Sequence, residues 1–328
     1  MNKFFAFSGY IVLITFFCSC SNNIQKPDTD AISFDNNESI LSIGQQLVVT
    51  PTIKGKIAKL ENCKWENLSK DLVDLTISPD RSIILTGKKF GKANLKLTDT
   101  VNNISADYIV EVKISKIKKW VAFGNSITKH PITSFWWGEW GMAATAKEKD
   151  YVHLFNSLLE SHFQTKISFQ AVNVGNWERE FRNFNKNSLN QYLNGDEDLI
   201  IVRLGENVPS EEDTFSIYEQ ELTDLIHFLK SKSPYATYVI TGNFWSNPRK
   251  DRIQKNVADK NYCIWVPLSQ LDLQENKSTI DTKVLGQNGI WRSISEAGSS
   301  AAGVAYHPSD KGMYNIAATL ARYIIESN

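Results

Sequence analysis

The sequence predicts an α/β fold, three layers with a parallel sheet between helices, preceded by a small all-β sandwich. Two stretches of different hydrophobic period carry this. Over residues 31–115, short apolar or alternating runs recur at intervals of about ten residues, broken by turn signals, and no helical period shows. From Lys118 onward, strand-like runs alternate with long amphipathic stretches, the pattern of a parallel sheet covered on both faces. Length agrees, since 328 residues suit two domains better than one.

The first twenty residues are a different material. Lys3 precedes an almost wholly apolar run over 4–17, and then comes Cys18-Ser19-Cys20. The run is shorter than the ~20 residues of a membrane-spanning helix, so it reads as a signal-peptide core. Ser19-Cys20 resembles the lipobox of bacterial lipoproteins. That resemblance implies a signal peptide over 1–19, a lipid anchor on Cys20 and an extracytoplasmic location, with the outer membrane expected. Residues 20–30 are polar and read as a tether. Membrane contact is expected through that lipid only.

In the sandwich, 31–115, the strand-like runs are 39–43, 46–50, 75–77, 82–85, 93–97 and 108–112, with Trp65 beside Cys63 as a core anchor. The segments "LSIGQQLVVTPTI" and "KKFGKANLKL", the latter with Gly91 at a turn, resemble bacterial Ig-like domains. The resemblance implies a spacer or orienting module. Cys63 and Cys263 fall in different units, each within a strand-like run, and read as buried free thiols.

In the second unit, 116–328, strands are expected at 120–123, 167–172, 199–204, 238–241 and 263–266. One helix gathers Tyr151, Leu154, Phe155, Leu158, Leu159 and Phe163 on a face, another Phe215, Tyr218, Leu222, Leu225, Ile226 and Leu229, and a last spans about 311–326. His162 lies along the apolar face of the first helix. Zero formal net charge and the lack of a basic stripe argue against nucleic acid as a partner.

Ligands of such sheets bind beyond the carboxyl ends of the strands. Unusual residues stand there: Gly124-Asn125-Ser126-Ile127-Thr128 after the first strand, Asn173-Val174-Gly175 after the second, Gly205-Glu206-Asn207 after the third. His307-Pro308-Ser309-Asp310 precedes the last helix. These four blocks, in this order, resemble the SGNH (GDSL-type) hydrolases, and the likeness covers about 120–325. It implies a flavodoxin-like fold and a serine esterase working through an acyl-enzyme, with Ser126 as nucleophile and His307 as base. It also implies an oxyanion hole from the backbone N–H of Ser126, the backbone N–H of Gly175 and the side-chain amide of Asn207. A glycine also suits that place because a residue without Cβ lets its N–H approach a substrate closely.

Two positions depart from the family pattern. Asn125 replaces an Asp that serves as a local hydrogen-bonding residue. Val304 stands three residues before His307, where the family carries the Asp that orients the imidazole. Either a backbone carbonyl orients His307, or a carboxylate from Glu178, Glu180 or Glu206 does. Asp310 reads as an N-cap or first-turn residue of the last helix. His130, Trp136, Trp137, Trp177, Glu178, Arg179 and Glu206 are candidates to line the site, beside Asn125. The clustered indoles of 135–141 either stack on substrate or pack their loop onto the body. Arg179 either binds a substrate carboxylate or pairs with Glu178 or Glu180. The five histidines show no metal spacing, so neither metal nor other cofactor is expected. The expected substrate is an acylated glycan or a small ester, with O-acetyl groups on a polysaccharide favoured. A lipase-like acyl hydrolase and a glycan-binding module without turnover stand as alternatives. The sequence assigns no oligomeric state.

Overall fold

The computed structural model describes residues 31–326, so the apolar leader 1–19, Cys20 and the tether lie outside the described residues. The chain first forms nine strands: β1 (Ala31–Ser33), β2 (Glu38–Leu41), β3 (Gln46–Val49), β4 (Thr52–Lys54), β5 (Cys63–Asn67), β6 (Val73–Ile77), β7 (Ile83–Gly87), β8 (Gly91–Asp99) and β9 (Ile104–Val112). They pair as a sheet β2-β9-β8-β5, a sheet β3-β7-β6 and a short β1-β4 ribbon. Alternation places Ile83 and Leu85 of β7, and Ala93, Leu95 and Leu97 of β8, in one buried core. Trp65 packs there against Phe34, ring centroids 5.6 Å apart, and its Nε1 donates to Arg81 O. Cys63 and Cys263 are buried free thiols. This unit touches the next one through Gln45 Nε2 donating to Pro234 O, and Tyr262 Oη donating to Asp74.

The second unit is a three-layer α/β fold. Strands β10 (Lys119–Gly124), β11 (Ser168–Asn173), β12 (Leu199–Arg203), β13 (Thr237–Thr241) and β14 (Ile264–Val266) form one sheet in the order β11-β10-β12-β13-β14. Every pairing is parallel. Each expected strand recurs within a residue or two of its reading. Both sheet faces are covered. Trp120, Ala122, Leu199 and Ile201 share one core cluster with residues of α1 (Tyr151–Phe163) and α6 (Asp310–Ala321). The residues between them, Val121, Phe123, Ile200 and Val202, point to the opposite core, with residues of α3 (Glu212–Lys232) and α4 (Pro248–Lys260). The short helices α2 (Gly175–Glu180) and α5 (Ala301–Ala305), and the ribbon β15 (Lys283–Leu285) with β16 (Trp291–Ser293), sit among the loops.

One expectation is corrected: His162, read from its place along the apolar face as a core or boundary residue, is exposed, its ring edge-on to Phe163. The last helix covers the expected stretch, α-helical to Ala321 and π-helical over Arg322–Glu326. Among the described residues no helix is long and apolar enough to cross a membrane.

With strand order 2-1-3-4-5, the chain leaves β10 to pair on one side with β11 and on the other with β12. Connections on the two sides diverge there and leave a crevice beyond the carboxyl ends. Ser126 follows β10, Gly175 follows β11 and Asn207 follows β12, so topology alone brings these loops to one place.

Candidate active site

The chain turns sharply after β10. Asn125 O accepts from the N–H of Thr128 and of Lys129, and Asn125 Oδ1 accepts from the N–H of Ile127. This lifts Ser126 to the surface of the crevice, half-buried, with Oγ 2.9 Å from His307 Nε2. The two residues are 181 positions apart. The other ring nitrogen, Nδ1, lies 2.8 Å from Gly303 O. A carbonyl only accepts, so Nδ1 carries the proton and Nε2 presents its lone pair to the serine hydroxyl. No carboxylate among the described residues hydrogen-bonds this ring. Glu180 is exposed, and Glu178 and Glu206 are engaged elsewhere.

The His307 ring is half-buried and Trp245 stands edge-on against it, centroids 5.1 Å apart. Burial pushes its pKa down to about 4, outweighing the Gly303 hydrogen bond that works in the other direction. The ring is therefore neutral, and able to accept a proton, through the neutral pH range.

Behind Ser126 lies a buried polar network centred on Asn125. One amide proton of Asn125 goes to Glu178 Oε1 at 3.1 Å, the other to Glu206 Oε2 at 2.7 Å. Its Oδ1 also accepts from Arg203 at 3.1 Å. Every donor and lone pair of the side chain is thus used. Glu206 pairs with the fully buried Arg203 at 2.5 Å and accepts from Phe244 N. Glu178 accepts from the N–H of Gly205, from the N–H of Asn207 and, through Oε2, from Asn207 Nδ2 at 2.5 Å. Burial, and next the Glu206 carboxylate, hold Glu178 above its usual range. The network requires Gly205: its φ is +137°, and a Cβ would fall 2.5 Å from Asn243 Oδ1.

The three donors named for an oxyanion differ in readiness. The N–H of Ser126 makes no hydrogen bond among the described residues. Asn207 spends one amide proton on Glu178, which fixes the group and leaves the second free. The N–H of Gly175 is engaged by Asn173 Oδ1 at 2.9 Å, and a Cβ on Gly175 would come within 3.2 Å of that oxygen.

A pocket of about 380 Å³ opens over this constellation, walled by Phe135, Arg179, Asn173, Trp245, Ser299 and Val304 among others, with His130 at its margin. Several expected lining residues are placed elsewhere. Trp136 is wholly buried against Trp140, and Trp137 is buried with Arg292 over its ring. They pack their loop onto the body, and Phe135 is the member of that segment that reaches the pocket. Trp177 is wholly buried between Phe181 and Tyr218. Glu178 and Glu206 support the site from beneath. Arg179 is exposed, forms no ion pair with Glu178 or Glu180, and donates to Gly175 O at 3.0 Å. Asp310 opens α6 after the cap Ser309, and its carboxylate accepts from the N–H and hydroxyl of Thr145. Sequence reasoning missed Trp245, which follows β13 and donates from Nε1 to Tyr306 O. Its position beyond a fourth strand end was the available signal.

No family model and no curated protein matches the sequence. Among solved structures, the chain is similar to phospholipase A1 from Streptomyces albidoflavus at 11% identity, with 63% of this chain and 100% of that one covered and a TM-score of 0.42. It is similar to a family 3 carbohydrate esterase of Clostridium thermocellum at 15% identity, covering 65% and 96%, with a TM-score of 0.40. A match to domains 4 and 5 of the S-layer protein SbsC, at 12% identity and a TM-score of 0.23, covers 26% of this chain and about half, 53%, of that one.

Proposed function

We propose that the chain is a serine ester hydrolase of the SGNH type that removes short acyl groups, O-acetyl foremost, from a glycan. The observation that carries this is the hydroxyl–imidazole–carbonyl relay, Ser126 Oγ to His307 Nε2 and Nδ1–H to Gly303 O.

Nε2 takes the hydroxyl proton as Oγ attacks the ester carbonyl carbon, and the carbonyl π pair moves onto oxygen. That oxygen meets the free N–H of Ser126 and the remaining amide proton of Asn207. Each such donor contributes on the order of 3 kcal/mol to the transition state. Gly175 N–H joins them once Asn173 Oδ1 gives it up. Collapse expels the sugar alkoxide, which takes the proton from Nε2. Water then repeats the sequence on the acyl-enzyme, and the carboxylic acid leaves. The pocket, about 380 Å³ and lined by polar Asn173, Asn207, Ser299 and Ser300 as well as apolar Phe135, Met142, Trp245 and Val304, suits a short acyl group. Cys20 directly after a small residue and an apolar run supports an outer-membrane lipoprotein working outside the cytoplasm. Loss of the protein from the membrane fraction on Cys20→Ala is the expected sign.

The test compares p-nitrophenyl acetate and octanoate turnover by the wild type and Ser126→Ala. Acetate turnover should fall by about a thousandfold or more in the variant, with octanoate poor throughout. Equal background rates for both proteins would instead leave a binding module without turnover.

A further inference from the structure

A second, larger cleft of about 930 Å³ adjoins the catalytic pocket and shares His130, Asn173 and Arg179 with it. Its charged lining is lopsided. Lys129, Lys147 and Arg179 face it, against a single carboxylate, Glu139, in a chain whose formal net charge is zero. Glu139 does little to neutralise them. It lies 3.8 Å from Lys129, and both side chains are substantially exposed. Lys147 and Arg179 are exposed and form no ion pair among the described residues. Arg179 is nonetheless held: its Nη1 donates to Gly175 O, which leaves most of its guanidinium fork free beside the catalytic pocket. Half-buried Phe169, stacked on Trp120, and half-buried Tyr192 add aromatic side chains to the lining.

Resting on the esterase reading above, we propose that the substrate is an acylated anionic glycan, whose carboxylate or sulfate groups are bound by Arg179, Lys129 and Lys147 while an ester on a neighbouring sugar enters the catalytic pocket. An unpaired guanidinium against the site recognises a planar or tetrahedral oxyanion in two-point contact, and the lysines extend the positive track away from Ser126. A neutral xylan has no anionic group to offer these three cations.

The test is calorimetric and independent of turnover. Protein carrying Ser126→Ala is titrated with unacetylated oligogalacturonate, with a sulfated oligosaccharide and with neutral xylo-oligosaccharide. At low salt the anionic chains should bind at least about tenfold more tightly than the neutral one, since each charged hydrogen bond lost costs about that factor. Adding Arg179→Ala or Lys147→Glu should remove most of the advantage, as should raising salt to about 0.5 M. Lys54→Glu, on the sandwich, is the control. The tighter of the two anionic chains identifies which group the cleft takes. Equal affinity for neutral and anionic chains, or binding indifferent to both cleft substitutions, overturns the proposal. Wild-type p-nitrophenyl acetate hydrolysis, measured alongside, separates the two ideas: its absence would end the esterase reading, whereas intact hydrolysis without charge preference would end only this one.

Discussion

The two sides of the turn at Ser126 are built on opposite electrostatic principles. In front, the serine faces an imidazole whose Nδ1 donates to a neutral carbonyl, Gly303 O. Behind, one residue earlier, Asn125 is gripped by two buried carboxylates and a buried guanidinium. The carboxylates of this site thus fasten the segments after four strands together instead of charging the base. Asn125 fits that arrangement because it offers a proton to each carboxylate. An Asp would offer none when ionised and would place a third negative group against two others.

Substitutions on each side test this contrast. Glu206→Gln should cost most, about 3–5 kcal/mol of unfolding free energy, because it leaves the buried Arg203 without its charge partner. Urea denaturation measures it, and a loss below 1 kcal/mol would mean the network is not structural. Asn125→Asp, although it installs the residue of the GDSL-type pattern that the sequence resembles, should destabilise by about 2–3 kcal/mol through lost charged hydrogen bonds, and turnover should fall with it. A stabilised or more active Asn125→Asp protein would reverse the assignment of roles.

On the front side the signal is pH. Burial pushes the His307 pKa down to about 4, so if His307 is the base of the proposed esterase, kcat/KM should hold its plateau down to about pH 5 and fall below that. The corresponding stability term has a definite sign. The folded-state value lies below the unfolded one, about 6.5, so the unfolded chain binds the proton first, and stability declines as pH falls from there toward 4. Val304→Asp is the smallest step. A carboxylate beside the ring should raise the base by about one unit or more and carry the acid limb upward, at some cost in stability because Val304 is buried. An acid limb already near 6.5 in the wild type would show that the ring is not desolvated as described.

What the sequence could reveal follows from these two sides. The five strands were legible because apolar runs such as 199–202 mark strands covered on both faces. The site's four blocks were legible because polar residues and glycines stand where those runs stop. Helix α4 was not legible. Its inner face buries Lys250 and Gln254 with Val257 and Ala258, so no apolar stripe marks it. Lys250 is instead satisfied by the carbonyls of Glu206 and Val208. The Asn125 network was equally hidden, since its partners lie 53 to 81 positions away and only the fold brings them together. The tryptophans left two readings open, substrate stacking or packing of their loop, and the structure takes the second: a long loop lying across a sheet end needs a core of its own, and Trp136 supplies it.

The acceptor for the His307 ring sits only four residues upstream, at Gly303 within the short helix α5. Donor and acceptor therefore travel together on one turn of chain. Breathing of that loop can lengthen or shorten the reach to the serine, but the nitrogen that bears the proton stays the same. Proton bookkeeping is set by neighbours in sequence, and only proximity depends on the rest of the molecule.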